Sequence, residues 1–203
     1  MLGSNLGVNA GAGAFAEVGK VGALLADLGC EWYVCGGWAL DLFLGRVTRA
    51  HKDVDVAVAR RDQAEVADYL RRRGWSLEKA AGGRLSPWGE GERLALPVHG
   101  VWCRNEAHDP PFLELLLNEI DDGLFRFRRD PGLTLPRARM SFVSECGLPV
   151  LAPEVVLLYK SNSPDEHAAD FRNAAAALSD GARAWLKAAL TKDSARHPWA
   201  GEL

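Results

Sequence analysis

The sequence predicts an α+β fold: a mixed β-sheet flanked by helices, followed by a C-terminal helical lobe. Three observations predict it. Polar residues 51, 53 and 55 alternate with Val54, Val56 and Val58, the period of a half-buried strand. Apolar residues recur at helical spacing on both sides of that run, within 14–28 and 61–73. From about residue 150 onward the helical period takes over.

Taken in order, residues 1–13 are rich in Gly, Ala and Asn and lack a basic leader, so they read as a loose tail and not as a signal peptide. Residues 14–148 read as the α/β domain and 149–203 as the helical lobe. Within 14–28, Val18, Val21, Leu24, Leu25 and Leu28 share a helix face, and Gly29 suits a cap. A short strand from Trp32 runs through a Gly36-Gly37 turn into a short amphipathic helix, and the alternating strand follows. The helix over 61–73 is closed by Gly74, with Arg71, Arg72 and Arg73 placed to favour its C-terminal dipole. Strands are predicted at 94–103 and 112–119, a short one near 124–128, and an extended run at 148–152. Pro153 suits the first turn of a helix through Lys160. Ser163-Pro-Asp-Glu166 reads as a capping box opening a helix to about Leu178. A last helix over 181–191 carries the stripe Trp185, Leu186, Leu190.

The length of 203 residues allows one large domain or two small ones. A net charge of −3 gives no general attraction to nucleic acid or to an anionic membrane. No apolar run approaches a membrane span. Cys30, Cys35, Cys103 and Cys146 form no Cys-x-x-Cys pair, which argues against structural zinc and fits a reducing cytoplasm. They read as small buried apolar residues.

The chemistry lies around the alternating strand. Residues two apart point to one face, so Asp53 and Asp55 stand side by side while the valines face the core. Two close carboxylates repel unless a cation sits between them, and hard oxygen ligands suit Mg²⁺. Alone, the tripeptide reads first as an exposed face with two solvated acids. The Gly36-Gly37 turn alters that balance. A helix start offers free N–H groups to an anion, and glycine admits a phosphate close to the backbone. One element thus offers phosphate-binding amides and the next offers metal ligands. His51 reads as a hydrogen-bond partner and not as a ligand, because Mg²⁺ prefers oxygen.

The run Gly36-Gly-Trp-Ala-Leu-Asp-Leu-Phe-Leu-Gly-Arg-Val-Thr-Arg-Ala-His-Lys-Asp-Val-Asp-Val56 resembles the signature of the polymerase-β-like nucleotidyltransferase superfamily. It is most similar to the aminoglycoside 2''-nucleotidyltransferase type, with its Gly-Gly-Trp-Ala helix, Gly-Arg-x-Thr-Arg-x-His linker and Asp-x-Asp. Many superfamily members carry Gly-Ser where this chain has Gly36-Gly37. The resemblance implies a nucleotidyltransferase-like fold, two Mg²⁺ ions held by Asp53 and Asp55, and ATP or another NTP as co-substrate. It also implies a third acid on a neighbouring strand. Glu114, in the apolar centre of 112–119, is the candidate for metal ligand and catalytic base; Glu119, on the opposite face, is the alternative. Gly36, Gly37, Arg46, Thr48, Arg49 and Lys160 are the nucleotide-binding candidates. The arginines read equally as a loop held by a carboxylate such as Asp41, and Lys160 as a complement to its helix dipole. His167 and Asp170 read as a structural pair. The implied partners are an NTP and a small hydroxyl-bearing acceptor of the aminoglycoside kind. Modification of a protein or a tRNA, and a non-catalytic nucleotide-binding relative, are the rival readings. The acidic balance weighs against tRNA.

Overall fold

The computed structural model describes residues 13–121, 123–193 and 197–203. The tail reading for 1–12 lies outside the described residues. Helix α1 (Ala16–Leu24) buries Val18 and Val21, and Leu25 and Leu28 continue the stripe beyond it. The helix ends in Leu25, so Gly29 belongs to the bend before the first strand and is not its cap.

Strand β1 (Trp32–Val34) leads into α2 (Gly36–Leu44), which Gly45 ends in the left-handed conformation. Strand β2 (Asp55–Ala59) follows. It begins at Asp55, so Asp53 stands in the approach to the strand. From Val56 to Ala59 it is buried on both faces, because it lies at the centre of the sheet. Helix α3 (Gln63–Arg71) turns back over the sheet, and Gly74, at φ +81°, follows its C-terminus.

Two strands then appear that the sequence pattern does not announce: β3 (Ser76–Ala81) and β4 (Arg84–Pro87), a hairpin turned by Gly82-Gly83. The adjacent polar pair Glu78-Lys79 breaks the alternation that marks a strand. The strand expected over 94–103 is shorter, β5 (Gly100–Arg104). Pro97 has no N–H for a ladder, and Val98 donates to Ala95 in a turn. Strands β6 (Phe112–Ile120) and β7 (Leu124–Phe127) match expectation, while β8 (Asp130–Pro136) and β9 (Ser141–Val143) are further strands. Strand β10 (Pro149–Leu151) precedes α4 (Pro153–Lys160).

The capping-box expectation at Ser163 is corrected. Residues 161–167 form turns, and α5 (Ala168–Ala175) begins later, with no side-chain cap. The Ala168 N–H donates to Asp165, the short spacing of a turn and not of an α-helix. The last long helix is α6 (Asp180–Asp193).

The sheet runs β4-β3-β5-β6-β2-β1-β10-β9, with the β7–β8 hairpin attached to β6. Pairs β2–β6 and β1–β10 are parallel and the others antiparallel, so the sheet is mixed. Helix α4 is buried from Pro153 to Leu158 and packs on α2 and α6. Strand β10 is hydrogen-bonded to β1 and β9, so the run without strands starts at Pro153.

Candidate active site

The register of the two central strands sets the site. Asp55 pairs with Glu114 across β2 and β6, so their side chains share one face. Asp53 reaches the same place from the loop. One carboxylate oxygen from each of the three lies within 4.8 Å of the others. Glu119 points elsewhere and accepts from Arg60 Nε at 2.5 Å. Of the two acids on β6, Glu114 therefore completes the cluster.

This cluster is electrostatically strained. Burial and the neighbouring Asp53 push the Asp55 carboxyl up to about 6. Burial, Asp55 and Asp53 push Glu114 up to about 7. Among the described residues, none of the three carboxylates has a side-chain ion pair or hydrogen bond. Three close acids with no protein cation of their own, presenting hard oxygens, fit a divalent cation such as Mg²⁺.

Glycine shapes the edge of the cluster. Gly36 has φ +63°, and a β-carbon there would collide with the Asp55 carboxylate. A β-carbon on Gly37 would lie 2.6 Å from Arg49 Nη2. These two residues open α2, whose first N–H groups lack helical partners. Gly37, Asp53, Asp55, Glu114, Lys160 and Asp170 line a cleft of about 650 Å³ between the sheet and the C-terminal helices. A smaller cavity of about 170 Å³ opens at Gly36, with Arg128, Tyr159 and Lys160 in its wall.

Two cations of the cleft, Arg49 and Lys160, are held by one acid. Asp170 accepts from Arg49 Nε at 2.9 Å and Nη2 at 3.2 Å. Its Oδ2 is 2.8 Å from Lys160 Nζ. Burial alone would raise the Asp170 carboxyl, but the hydrogen bonds from Arg49 and Lys160 outweigh it and hold it at about 2. The pairing of Asp170 with His167 is looser, at 4.0 Å, so the expected structural pair is secondary. Arg49 is tied to Asp170, and not to Asp41 as one reading had it.

Asp41 has a different task. It is fully buried, accepts from the Thr48 N–H and hydroxyl, and lies 2.6 Å from His51 Nε2. His51 also packs at a tilt against Trp38, ring centroids 4.4 Å apart. Asp41 thus staples the 45–54 loop to α2 and aims the approach to Asp53. Thr48 is used up in that staple and Arg46 is exposed; neither lines the cleft. The structure brings Asp53, Asp55, Glu114, Gly37, Arg49 and Lys160 together, with Gly36 at the adjoining cavity.

Two participants carry no signal in the sequence pattern. Arg128 follows β7, and its charge opposes the upward shift of Glu114. Asp170 shows its role only through contacts to residues far along the chain. Two tryptophans are buried away from the cleft: Trp88 under Arg71, and Trp199 against Phe171 at 4.4 Å. Trp102 is half-exposed. Cys35 and Cys103 are buried, Cys30 is half-buried, and Cys146 is exposed, an exception to the buried reading. Asp121 caps its own turn and pairs with Arg126, and Asp122 lies outside the described residues.

Known proteins show the same architecture. ANT(2'')-Ia in complex with adenylyl-2''-tobramycin superposes with a TM-score of 0.61 at 18% identity, over 87% of this chain and 97% of that one. The solution structure of the antibiotic-resistance factor ANT(2'')-Ia gives 0.62 at 18% identity, covering 89% and 92%. The lincomycin-bound lincosamide antibiotic adenylyltransferase LnuA gives 0.53 at 17% identity, covering 78% and 94%. The model of the aminoglycoside-2''-adenylyltransferase family matches residues 17–84. No curated protein matches significantly. The fold is that of the nucleotidyltransferases, and it carries an acid cluster on its central strands. Its residues 17–84 are similar to the aminoglycoside-2''-adenylyltransferase family.

Proposed function

We propose that the protein transfers a nucleoside monophosphate, AMP from ATP, to a hydroxyl of a small antibiotic-like acceptor. The observation that carries this reading is the cluster of Asp53, Asp55 and Glu114, three close carboxylates beside a glycine-opened helix start. When bound, Mg²⁺ would neutralise phosphate charge and orient the α-phosphate. Asp53 and Asp55 would hold two such ions, with Glu114 completing the set. Glu114, raised to about 7, is suited to take the acceptor's hydroxyl proton near neutral pH. The first amides of α2, at Gly36 and Gly37, would bind the phosphates, with Lys160 and Arg49 facing them across the cleft. The end of α4 at Lys160 and the start of α5 at Asp170 form the far wall of the cleft.

The retained acids weigh against a non-catalytic relative. Among the described residues no helix is long and apolar enough to cross a membrane. The test is incubation with Mg²⁺ and labelled NTPs against aminoglycosides, lincosamides and cell extract. Labelled acceptor should form with ATP and vanish with Asp53→Asn. Failure of every NTP at millimolar concentration to raise the Tm in Mg²⁺ would overturn the reading.

A further inference from the structure

The catalytic face of the sheet continues past Glu114. Trp102 pairs with Glu114 across β5 and β6, and Glu78 pairs with Trp102 across β3 and β5. Residues opposite one another share a face, so Asp55, Glu114, Trp102 and Glu78 form one row. Phe112 lies on that face too, with its ring edge-on to Trp102 at 5.4 Å. Both rings are half-exposed. Phe112 also lines a cavity of about 140 Å³ that reaches Asp53 and is walled by Trp38, Pro110 and Lys52. An aromatic wall therefore adjoins the acid cluster on the side away from Lys160 and Arg128.

The charges on this wall are positive or spent. The Arg104 guanidinium lies 5.1 Å from each of the two rings. Glu78 is drawn to Arg104 at 3.7 Å. Lys52 stands at the rim of the smaller cavity, where Glu17 is already paired with Lys20. Glu166 lies on the far wall of the main cleft, beside Lys160 and His167. With metal bound, Asp53, Asp55 and Glu114 would have no carboxylate charge to spare for an amine.

We propose that this wall is the acceptor platform, and that it selects a hydroxylated ring with an apolar face and little positive charge over a polyamine. The inference rests on the nucleotidyl-transfer reading. The geometry follows from it: an acceptor hydroxyl at Glu114 puts the rest of the acceptor against Trp102 and Phe112. Stacking on such rings rewards an apolar ring face, while Lys52 repels added ammonium groups and Glu78, drawn to Arg104, offers them no free carboxylate.

The experiment compares AMP transfer to monobasic lincomycin and to the polyamine tobramycin, in wild type, Trp102→Ala, Trp102→Phe and Arg104→Glu. Lincomycin should be preferred by ~10-fold or more in kcat/KM, the scale of a 1.4 kcal/mol difference. Trp102→Ala should raise the acceptor KM several-fold without changing the Tm shift from MgATP, and Trp102→Phe should restore most of the loss. Arg104→Glu, on the surface, should move the preference toward tobramycin. A preference for tobramycin in wild type, an unmoved ratio in Arg104→Glu, or no transfer to either compound while MgATP still raises the Tm would overturn the platform. Loss of MgATP binding itself would overturn the nucleotidyl-transfer reading beneath it.

Discussion

A β-carbon on Gly36 would collide with the carboxylate of Asp55. The first residue of α2 and the first residue of β2 thus share one space, which only a glycine leaves open. The left-handed φ of +63° adds a second reason for glycine. Gly36→Ala should therefore displace Asp55 and strain the helix start together. The expected outcome is loss of transfer by ~10²-fold or more, with a Tm shift from Mg²⁺ smaller than in wild type. Unchanged activity and an unchanged Mg²⁺ response would place Asp55 outside the metal site.

The raised acids predict how the metal-free protein responds to pH. Asp55 moves from an ordinary 3.8 to about 6, and Glu114 from 4.5 to about 7. Between those limits the folded state binds more protons than the unfolded one. Stability should then fall as pH rises from about 4 to 7, the reverse of a salt-bridged acid. Each group contributes on the order of 2 kcal/mol, so the Tm in EDTA should drop by roughly 8–16 °C between pH 5 and pH 8. Saturating Mg²⁺ should flatten that slope. At the acid end, Asp170, held at about 2, contributes stability above pH 4 that is lost as pH falls toward 2. Thermal scans across pH 3–8, with and without Mg²⁺, read both limbs.

Much of this site could be read from the chain because its parts are local. Gly36 to Val56 is one continuous stretch, and turn, helix, linker and acids follow in order. Helix α4 has the expected bounds, Pro153 and Lys160, since proline sets its start. Glu114 was legible as an acid in an apolar strand, and the register puts it, and not Glu119, beside Asp55. What could not be read is non-local. Hairpin β3–β4 is held by partners on β5, while its own residues show no alternation. Asp170 draws its role from Arg49 and Lys160, and the 121 residues separating it from Arg49 leave no local pattern. The Ser163 motif shows the converse, a local signal that did not nucleate the helix it announces.

The two acids of β6 separate by function in a paired substitution. Glu114→Gln should retain ATP binding and lose transfer by ~10²-fold or more, because it removes both a ligand charge and a base. It should also raise the Tm in EDTA above pH 7, since one of three mutually repelling carboxylates is gone. Glu119→Gln should keep transfer intact. Its cost falls on stability, through Arg60, which Glu119 meets at 2.5 Å and whose Nη2 is already buried without a partner. Rate and Tm measured on both variants, with metal present and absent, distinguish a catalytic acid from a structural one. Normal transfer in Glu114→Gln would remove it from the site.

Asp170 joins three parts of the chain that contribute to the cleft: the linker at Arg49, the end of α4 at Lys160, and α5 itself. Its carboxylate has 7% of its side-chain surface exposed, so removing it leaves two cations without their shared partner. Asp170→Asn keeps the shape and one hydrogen-bond acceptor but loses the charge. Breaking a buried ion pair costs about 3–5 kcal/mol; the exposed side of Arg49 puts this case at the lower end. The Tm should fall by roughly 6–12 °C for a chain of this size. ATP, whose phosphates would supply the missing negative charge to Arg49 and Lys160, should recover more Tm in Asp170→Asn than in wild type. That recovery separates Arg49 and Lys160 acting on phosphate from the same two cations serving only to pin α5. In the second case the variant is destabilised alike with and without MgATP, and Lys160 and Arg49 have no part in holding the nucleotide.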